Sequence, residues 1–330
     1  MVGMETFMKR STFIRGLGYL SLLAPLAGLA QSFPSKPVTI IVPYAAGGPT
    51  DSAARTIGDA LAKHTGQAFV IQNKAGASTI IGTESAKAAH DDGYTWLLGT
   101  TSTFSLNPLL YKNLRYSKDD FDVIGAVAKV PYAVVLSTRI PATNMQEFIK
   151  WAKTAPKPFT YGTVGQGTPP HILGASLSRA IGAESLAVHY KGSSPVQVDM
   201  LSGVLDLSID PLNTALPMHK AGKVRIVAIV DDARWPALPE IPTLRELNIS
   251  GVHGSSWVGL FVPAKTPKMV RTSMGALLTQ ITASNEIQKR FAGLGLVPLP
   301  VSPESFQRFI DEDAARWKEM VEKNQIHLEE

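Results

Sequence analysis

From Val38 onward, short apolar runs alternate with stretches whose apolar positions recur every three to four residues. "VTIIV" (Val38 to Val42), "AFVIQ" (Ala68 to Gln72) and "YTWLLGT" (Tyr94 to Thr100) are rich in β-branched and aromatic residues and predict strands. Between the first two, "DSAARTIGDALAKH" (Asp51 to His64) sets Ala53, Ala54, Ile57, Ala60 and Leu61 on one helical face and stops near Gly66, a position suited to a helix end. "TESAKAAH" (Thr83 to His90) predicts a shorter helix, and Asp91-Asp92-Gly93 a turn. Strand, helix, strand, helix, strand is the rhythm of a parallel, doubly wound sheet.

A second series opens with the strand "VPYAVVLS" (Val130 to Ser137) and the helix "NMQEFIKWAK" (Asn144 to Lys153). Strands follow at "FTYGTV", "LAVHYK", "LDLSI" and "VRIVAIV", alternating with the helices "PHILGASLSRAIG", "SPVQVDMLS" and "PLNTALPMHKAG". The proline-rich "RWPALPEIPTL" (Arg234 to Leu244) breaks this alternation. A strand at "SWVGLFVP" and helices near 267–283 and 302–323 complete the chain. The pattern predicts an α/β chain of two lobes: residues 31–131 with 254–330 in one, and 132–253 in the other. A cleft between two such lobes is where a small ligand binds.

The first 30 residues stand apart. Lys9, Arg10 and Arg15 precede the apolar run Gly16 to Ala30, which ends in the small-x-small triplet Gly28-Leu29-Ala30. Such an arrangement predicts a secretory signal peptide cut near Ala30; the run is short of the roughly 20 residues a membrane span needs. The 330-residue chain carries 32 Lys and Arg against 27 Asp and Glu, and loss of the leader takes its net charge from +5 to near +3. That surplus forms no basic run, so nucleic-acid binding finds no support. With no cysteine, disulfides, thiolate metal sites, thiol nucleophiles and thioether-linked cofactors are excluded. The expected protein is exported to the periplasm, acts as a monomer and uses no cofactor.

Chemistry concentrates in two glycine turns. "VPYAAGGPTD" (Val42 to Asp51) leaves a strand and enters a helix, but it lacks the G-x-G-x-x-G spacing and the G-K-[ST] of nucleotide loops. Two readings stay open for it. Free helix N–H groups beside Gly47 and Gly48 suit a carboxylate as well as a phosphate, whereas a plain tight turn needs only Thr50 or Asp51 as its N-cap. "GTVGQGT" (Gly162 to Thr168) repeats the strand-to-helix design, and the two turns could face each other across the cleft. The polar tip "TTSTFSLN" (Thr100 to Asn107) adds hydroxyls and an amide. Asp210, before Pro211, is either a ligand contact or a helix cap. Among seven histidines no pair has metal-ligand spacing, and neither H-E-x-x-H nor G-x-S-x-G occurs.

Taken in order, "KPVTIIVPYAAGGPTD", "GYTWLLGT", "NPLLY", "VGQGTPPH", "HYKGSSPVQVDMLSG", "WVGLFVPAKTP" and "FIDEDAARW" resemble the Bug family. These are the TctC-like extracytoplasmic solute receptors of tripartite tricarboxylate transporters. The resemblance runs from about Lys36 to Ile326. It implies a Venus-flytrap fold like that of type II periplasmic binding proteins, which closes on a small carboxylate and is read by membrane subunits. It also implies site residues: Tyr44, Ala46, Gly47, Gly48, Thr50 and Asp51 as a first-lobe carboxylate cradle, and Gly165, Gly167, Thr168 and His171 as its second-lobe half. Asp210 stands where the family carries an aspartate near the ligand, and Ser78, Thr79, Thr101, Ser102 and Thr103 complete the wall. Four positions depart from the family pattern: Ser78-Thr79 replaces a glycine pair, Ala175 an acidic residue and His189 a proline. The competing reading is an exported hydrolase or transferase on a similar scaffold, for which Ser, Asp and His are the remaining nucleophile and base types.

Overall fold

In the computed structural model, residues 33–326 and 328 are described, so the leader expected over residues 1–30 lies outside them. Strands β1 (Val38–Val42), β2 (Phe69–Asn73), β3 (Thr95–Thr100), β4 (Phe121–Val130), β10 (Ser256–Pro263) and β11 (Val297–Pro298) form one sheet. β5 (Tyr132–Ser137), β6 (Phe159–Thr163), β7 (Ser185–His189), β8 (Leu207–Pro211) and β9 (Val224–Ile229) form the other. The helices are α1 (Pro49–Thr65), α2 (Ile80–Lys87), α3 (Asn107–Leu110), α4 (Met145–Thr154), α5 (Pro169–Ile181), α6 (Ser193–Ser202), α7 (Leu212–Lys220), α8 (Lys268–Ala283), α9 (Asn285–Gly293) and α10 (Pro303–Lys323). None is long and apolar enough to cross a membrane.

The first sheet runs β11-β4-β10-β3-β1-β2 and the second β7-β6-β8-β5-β9. Each contains the same unit. β2, β1 and β3 are parallel with β10 antiparallel beside β3; β7, β6 and β8 are parallel with β5 antiparallel beside β8. Parallel neighbours need a crossover, and the amphipathic helices read from the sequence provide it, so all three parallel strands of a lobe present their C-terminal ends on one edge. Val38, Ile40, Val42, Ala53, Ala54, Ile57 and Leu61 form part of the first core, as the helical spacing of α1 predicted. Burial of such side chains supplies roughly 25 cal/mol per Å2 of apolar surface and holds the lobe together without cross-links.

Three segments join the lobes. Pro131 links the end of β4 to the start of β5, and the chain returns between Val230 and β10. The third is α10. Its Phe306 and Ile310 pack with Trp257 and Phe261 of the first lobe, whereas Trp317, Met320 and Val321 sit with Leu173 and Leu177 of the second. The stretch 254–330, expected to belong wholly to the first lobe, therefore straddles both. At the crossing point the buried Asp313 carboxylate accepts hydrogen bonds from Trp257 Nε1 (2.7 Å), Ser105 Oγ (2.8 Å) and Arg316 Nη2 (2.7 Å). The ten-residue β4 and the helix α9 escape the periodicity reading, since "VIGAVAKV" runs apolar without alternation and α9 follows α8 after one residue.

Candidate functional site

The β1–α1 turn is organised by its own helix. Gly47 takes φ +86°, which lets its N–H turn back and donate to Asp51 Oδ2 at 3.0 Å. Arg55 Nε and Nη2 donate to the same carboxylate at 2.9 and 3.0 Å, and Asn73 Nδ2 at 3.0 Å. Burial works to raise the Asp51 pKa, but these donors outweigh it and hold the carboxyl below its ordinary range. Asp51 is thus spent inside the turn. The N-cap is Gly48, with Pro49 at the first helical position, rather than the expected Thr50 or Asp51. Because the first amides of a helix have no intrahelical acceptor, the N–H groups of Thr50 and Asp51 have no acceptor among the described residues.

The β6–α5 turn copies this grammar with a different outcome. Gly167, at φ +74°, donates its N–H to His171 Nδ1 at 3.1 Å, just as Gly47 does to Asp51 four residues on. But α5 begins Pro169-Pro170, which have no N–H, and the His171 amide is already bonded to Thr168 O. Thr168 N–H goes to Gly165 O and Gly165 N–H to Thr163 Oγ1. The expectation that this turn offers backbone N–H groups to a carboxylate is therefore corrected for Gly165, Gly167 and Thr168, whose amides are bonded within the turn, while two prolines remove the first donors of the helix. The His171 ring lies 4.8 Å from His189, edge to face, and lines a groove with Ala175 and Arg179. Burial, helped by His189, pushes its pKa down to about 4, which keeps Nδ1 free to accept from Gly167.

The second-lobe helix end that does reach the cleft is that of α6. Gly192 caps it, and Gly192 and Ser193 line one cavity together with Gly48, Pro49 and Thr50 of α1. The two turns touch: Ser194 Oγ donates to Ala46 O at 3.3 Å. The cavity itself is small, about 30 Å3, within some 430 Å3 of space that runs out into solvent. Its lining includes the hydroxyl residues Tyr44, Thr50, Thr100, Tyr132, Ser193 and Ser256 beside the apolar Val130 and Val164, and among the described residues no charged one lines it. A neighbouring space of about 250 Å3 shares Tyr44 and Val164 and adds Ser78, Thr79, Gln166 and Lys191.

Of the residues singled out in the sequence, Tyr44, Gly48, Thr50, Ser78, Thr79 and Gly165 line one or other space. Ala46 and Gly47 are exposed at the contact with α6, and the hydroxyls that follow β3 lie buried behind the lining residues. Tyr44 OH donates to Ser102 Oγ at 3.0 Å; Thr101 Oγ1 accepts from the Trp257 amide at 3.1 Å; Thr103 Oγ1 donates to Thr79 Oγ1 at 3.2 Å. Asp210 is buried in β8 beneath the wall, next to the lining Pro211, and burial pushes its pKa up to about 7, with Thr214 and Gln197 pulling it back in part. The α6 end is absent from the sequence-derived set, although its signal was present. Gly192-Ser193-Ser194-Pro195 is a glycine entering a helix with proline in the first turn, the design already read twice.

Two matching α/β lobes whose strand ends and helix N-termini enclose a polar, uncharged cavity define a two-lobed solute receptor of the periplasmic binding protein class. The chain belongs to the family described as the tripartite tricarboxylate transporter family receptor, TctC, whose model matches residues 53–326. Among solved structures it is similar to an R. palustris protein, Rpa4515, seen with adipate, at TM-score 0.87 and 31% identity over 89% of this chain and 99% of that one. The periplasmic binding protein BugD superposes at TM-score 0.84 with 32% identity, covering 89% and 99% of the two chains. MatC (Rpa3494) from Rhodopseudomonas palustris, with bound malate, does so at 0.81 and 27%, covering 88% and 100%.

Proposed function

We propose that this chain is an extracytoplasmic receptor that captures a small organic carboxylate by closure of its two lobes and presents it to the membrane subunits of a tripartite tricarboxylate-type transporter. The observation that carries this reading is the meeting of the α1 and α6 N-termini at one cavity. Each end contributes unbonded N–H groups and the positive pole of a helix dipole, and no lysine or arginine has to be desolvated. A carboxylate there takes donors from both lobes at once, so it favours the closed form over the open one, and only such differential binding shifts the equilibrium. The bound adipate and malate of the similar structures fit the same chemistry. Residues 31–131 with 254–330 would act as one jaw and 132–253 as the other, with α10 bridging them. In this reading the chain is a monomeric, non-catalytic receptor of the periplasm.

A thermal-shift panel of mono-, di- and tricarboxylates, aromatic acids and amides tests it. A ligand at a hundredfold excess over its Kd stabilises the fold by about 2.7 kcal/mol, a shift of several degrees. A folded sample that no carboxylate stabilises sinks the proposal.

Lys191 sharpens the prediction. It is the charged side chain lining the second space, and it forms no ion pair among the described residues. A second carboxylate reaching past Tyr44 and Val164 would meet it there. Lys191→Gln should therefore weaken binding of a dicarboxylate by about tenfold while leaving its monoamide nearly unaffected, as expected for one charge-assisted hydrogen bond. Equal losses for both ligands, measured by calorimetry, would remove Lys191 from the site.

A further inference from the structure

Ala77, Ser78 and Thr79 take φ values of 43°, 48° and 84° in succession, a left-handed turn that residues with side chains avoid. The first lobe supports it from within. Asn107 Nδ2 donates to Ser78 O at 2.8 Å and to Thr79 Oγ1 at 3.1 Å, and Thr103 Oγ1 donates to Thr79 Oγ1 at 3.2 Å. One contact of this turn contributes nothing to the first lobe. The Ser78 hydroxyl donates across the cleft to the backbone carbonyl of Gln166, in the glycine turn of the second lobe. Tyr111 OH points to the same carbonyl at 3.4 Å. The approach leaves little room: a Cβ on Gly165 would sit 3.0 Å from Ser78 Oγ.

We infer that Ser78 is an interlobe latch whose hydroxyl stabilises the closed form before any ligand contributes, so that position 78 sets affinity by setting how much of the empty receptor is closed. This rests on the reading of the chain as a closing receptor. In the open form the hydroxyl meets water, so the bond counts only toward closure, at the ordinary net value of a neutral hydrogen bond, about threefold to tenfold in the closed-to-open ratio. Apparent affinity follows the closed fraction as long as that fraction is small. The backbone makes the position diagnostic. Glycine at 78 removes the latch while relaxing the left-handed turn, so affinity and stability should move in opposite directions. Alanine removes the latch and keeps the strain.

The chain has no cysteine, so Ala68→Cys on the first lobe and Lys157→Cys on the second, both exposed, give unique positions for a pair of spin labels on the full-length protein. In the absence of ligand, Ser78→Gly and Ser78→Ala should each move the distance distribution toward the longer, open population by about threefold to tenfold, and Tyr111→Phe by less. The melting temperature of Ser78→Gly should not fall. Distances unchanged in both Ser78 variants, while the parent responds to a carboxylate from the thermal-shift panel, would overturn the latch alone. A single distance in every variant, unmoved by any carboxylate, would overturn the latch and the closure it depends on.

Discussion

Gly48→Val should abolish carboxylate binding and leave the receptor folded. Gly48 is the α1 N-cap at φ −84° and ψ 177°, an extended conformation open to any residue. A Cβ there would have its nearest neighbours, Ala45 O and Ser193 Oγ, at 3.9 Å, so the fold accommodates it. The branches of valine would then occupy the gap between the α1 and α6 ends, where the carboxylate is expected. Losing two hydrogen bonds to a charged group costs roughly 3–6 kcal/mol, or about a hundredfold to ten-thousandfold in Kd. Stability should drop by only about 1 kcal/mol, from the weaker cap. Calorimetry and a circular-dichroism melt decide it, and unchanged affinity in a folded variant would reduce the turn to a plain helix start. The neighbouring Gly47 is a poor choice for the same experiment, because its φ of +86° would strain any replacement.

Asp210→Asn should change how stability depends on pH. The carboxyl is buried and its pKa is pushed up to about 7, against an unfolded value near 3.8. A raised carboxylate pKa means the folded state binds more protons than the unfolded one between those values. Stability is therefore highest below about pH 4 and falls as pH rises toward 7, by up to about 4 kcal/mol for a shift of three units. His171 acts in the opposite sense. Its folded pKa is lowered to about 4 by burial, so its contribution is present above its unfolded value, near 6.5, and is lost as pH falls toward 4. The two slopes oppose each other in the parent, and the difference between parent and variant isolates Asp210. Urea melts at pH 4.5 and pH 8 should show the asparagine variant more stable than the parent at pH 8 and close to it at pH 4.5. Parallel pH profiles would show that Asp210 ionises without cost.

Much of this molecule is legible in its residues because its elements obey local rules. Val38 to Val42 is a strand in any parallel sheet, and Asp51 to His64 has one apolar face wherever it packs. The glycine turns are also local, since Gly47 and Gly167 must take positive φ for the chain to enter α1 and α5. What stays hidden is what each turn does with its N–H groups. The family resemblance implies ligand contacts at Asp51 and His171, and both accept hydrogen bonds from their own turns. Thr101, Ser102 and Thr103, the hydroxyls after a strand that the resemblance places in the ligand wall, are fully buried behind Tyr44, Thr79 and Trp257.

The order of apolar and polar residues by itself determined two α/β units, an expected cleft between them and the absence of nucleotide-loop and thiol chemistry. Those are consequences of periodicity, spacing and composition, each confined to a few turns of chain. Which helix ends meet is a different kind of fact. Residues 48–50 and 192–193 are some 140 positions apart, and only sheet order and the three crossings between lobes bring α1 opposite α6 rather than α5. The same applies to α10, whose two halves enter different cores. A hydrogen-bond donor has the same sequence whether its acceptor is its own turn, the facing lobe or a ligand, and only packing decides among them.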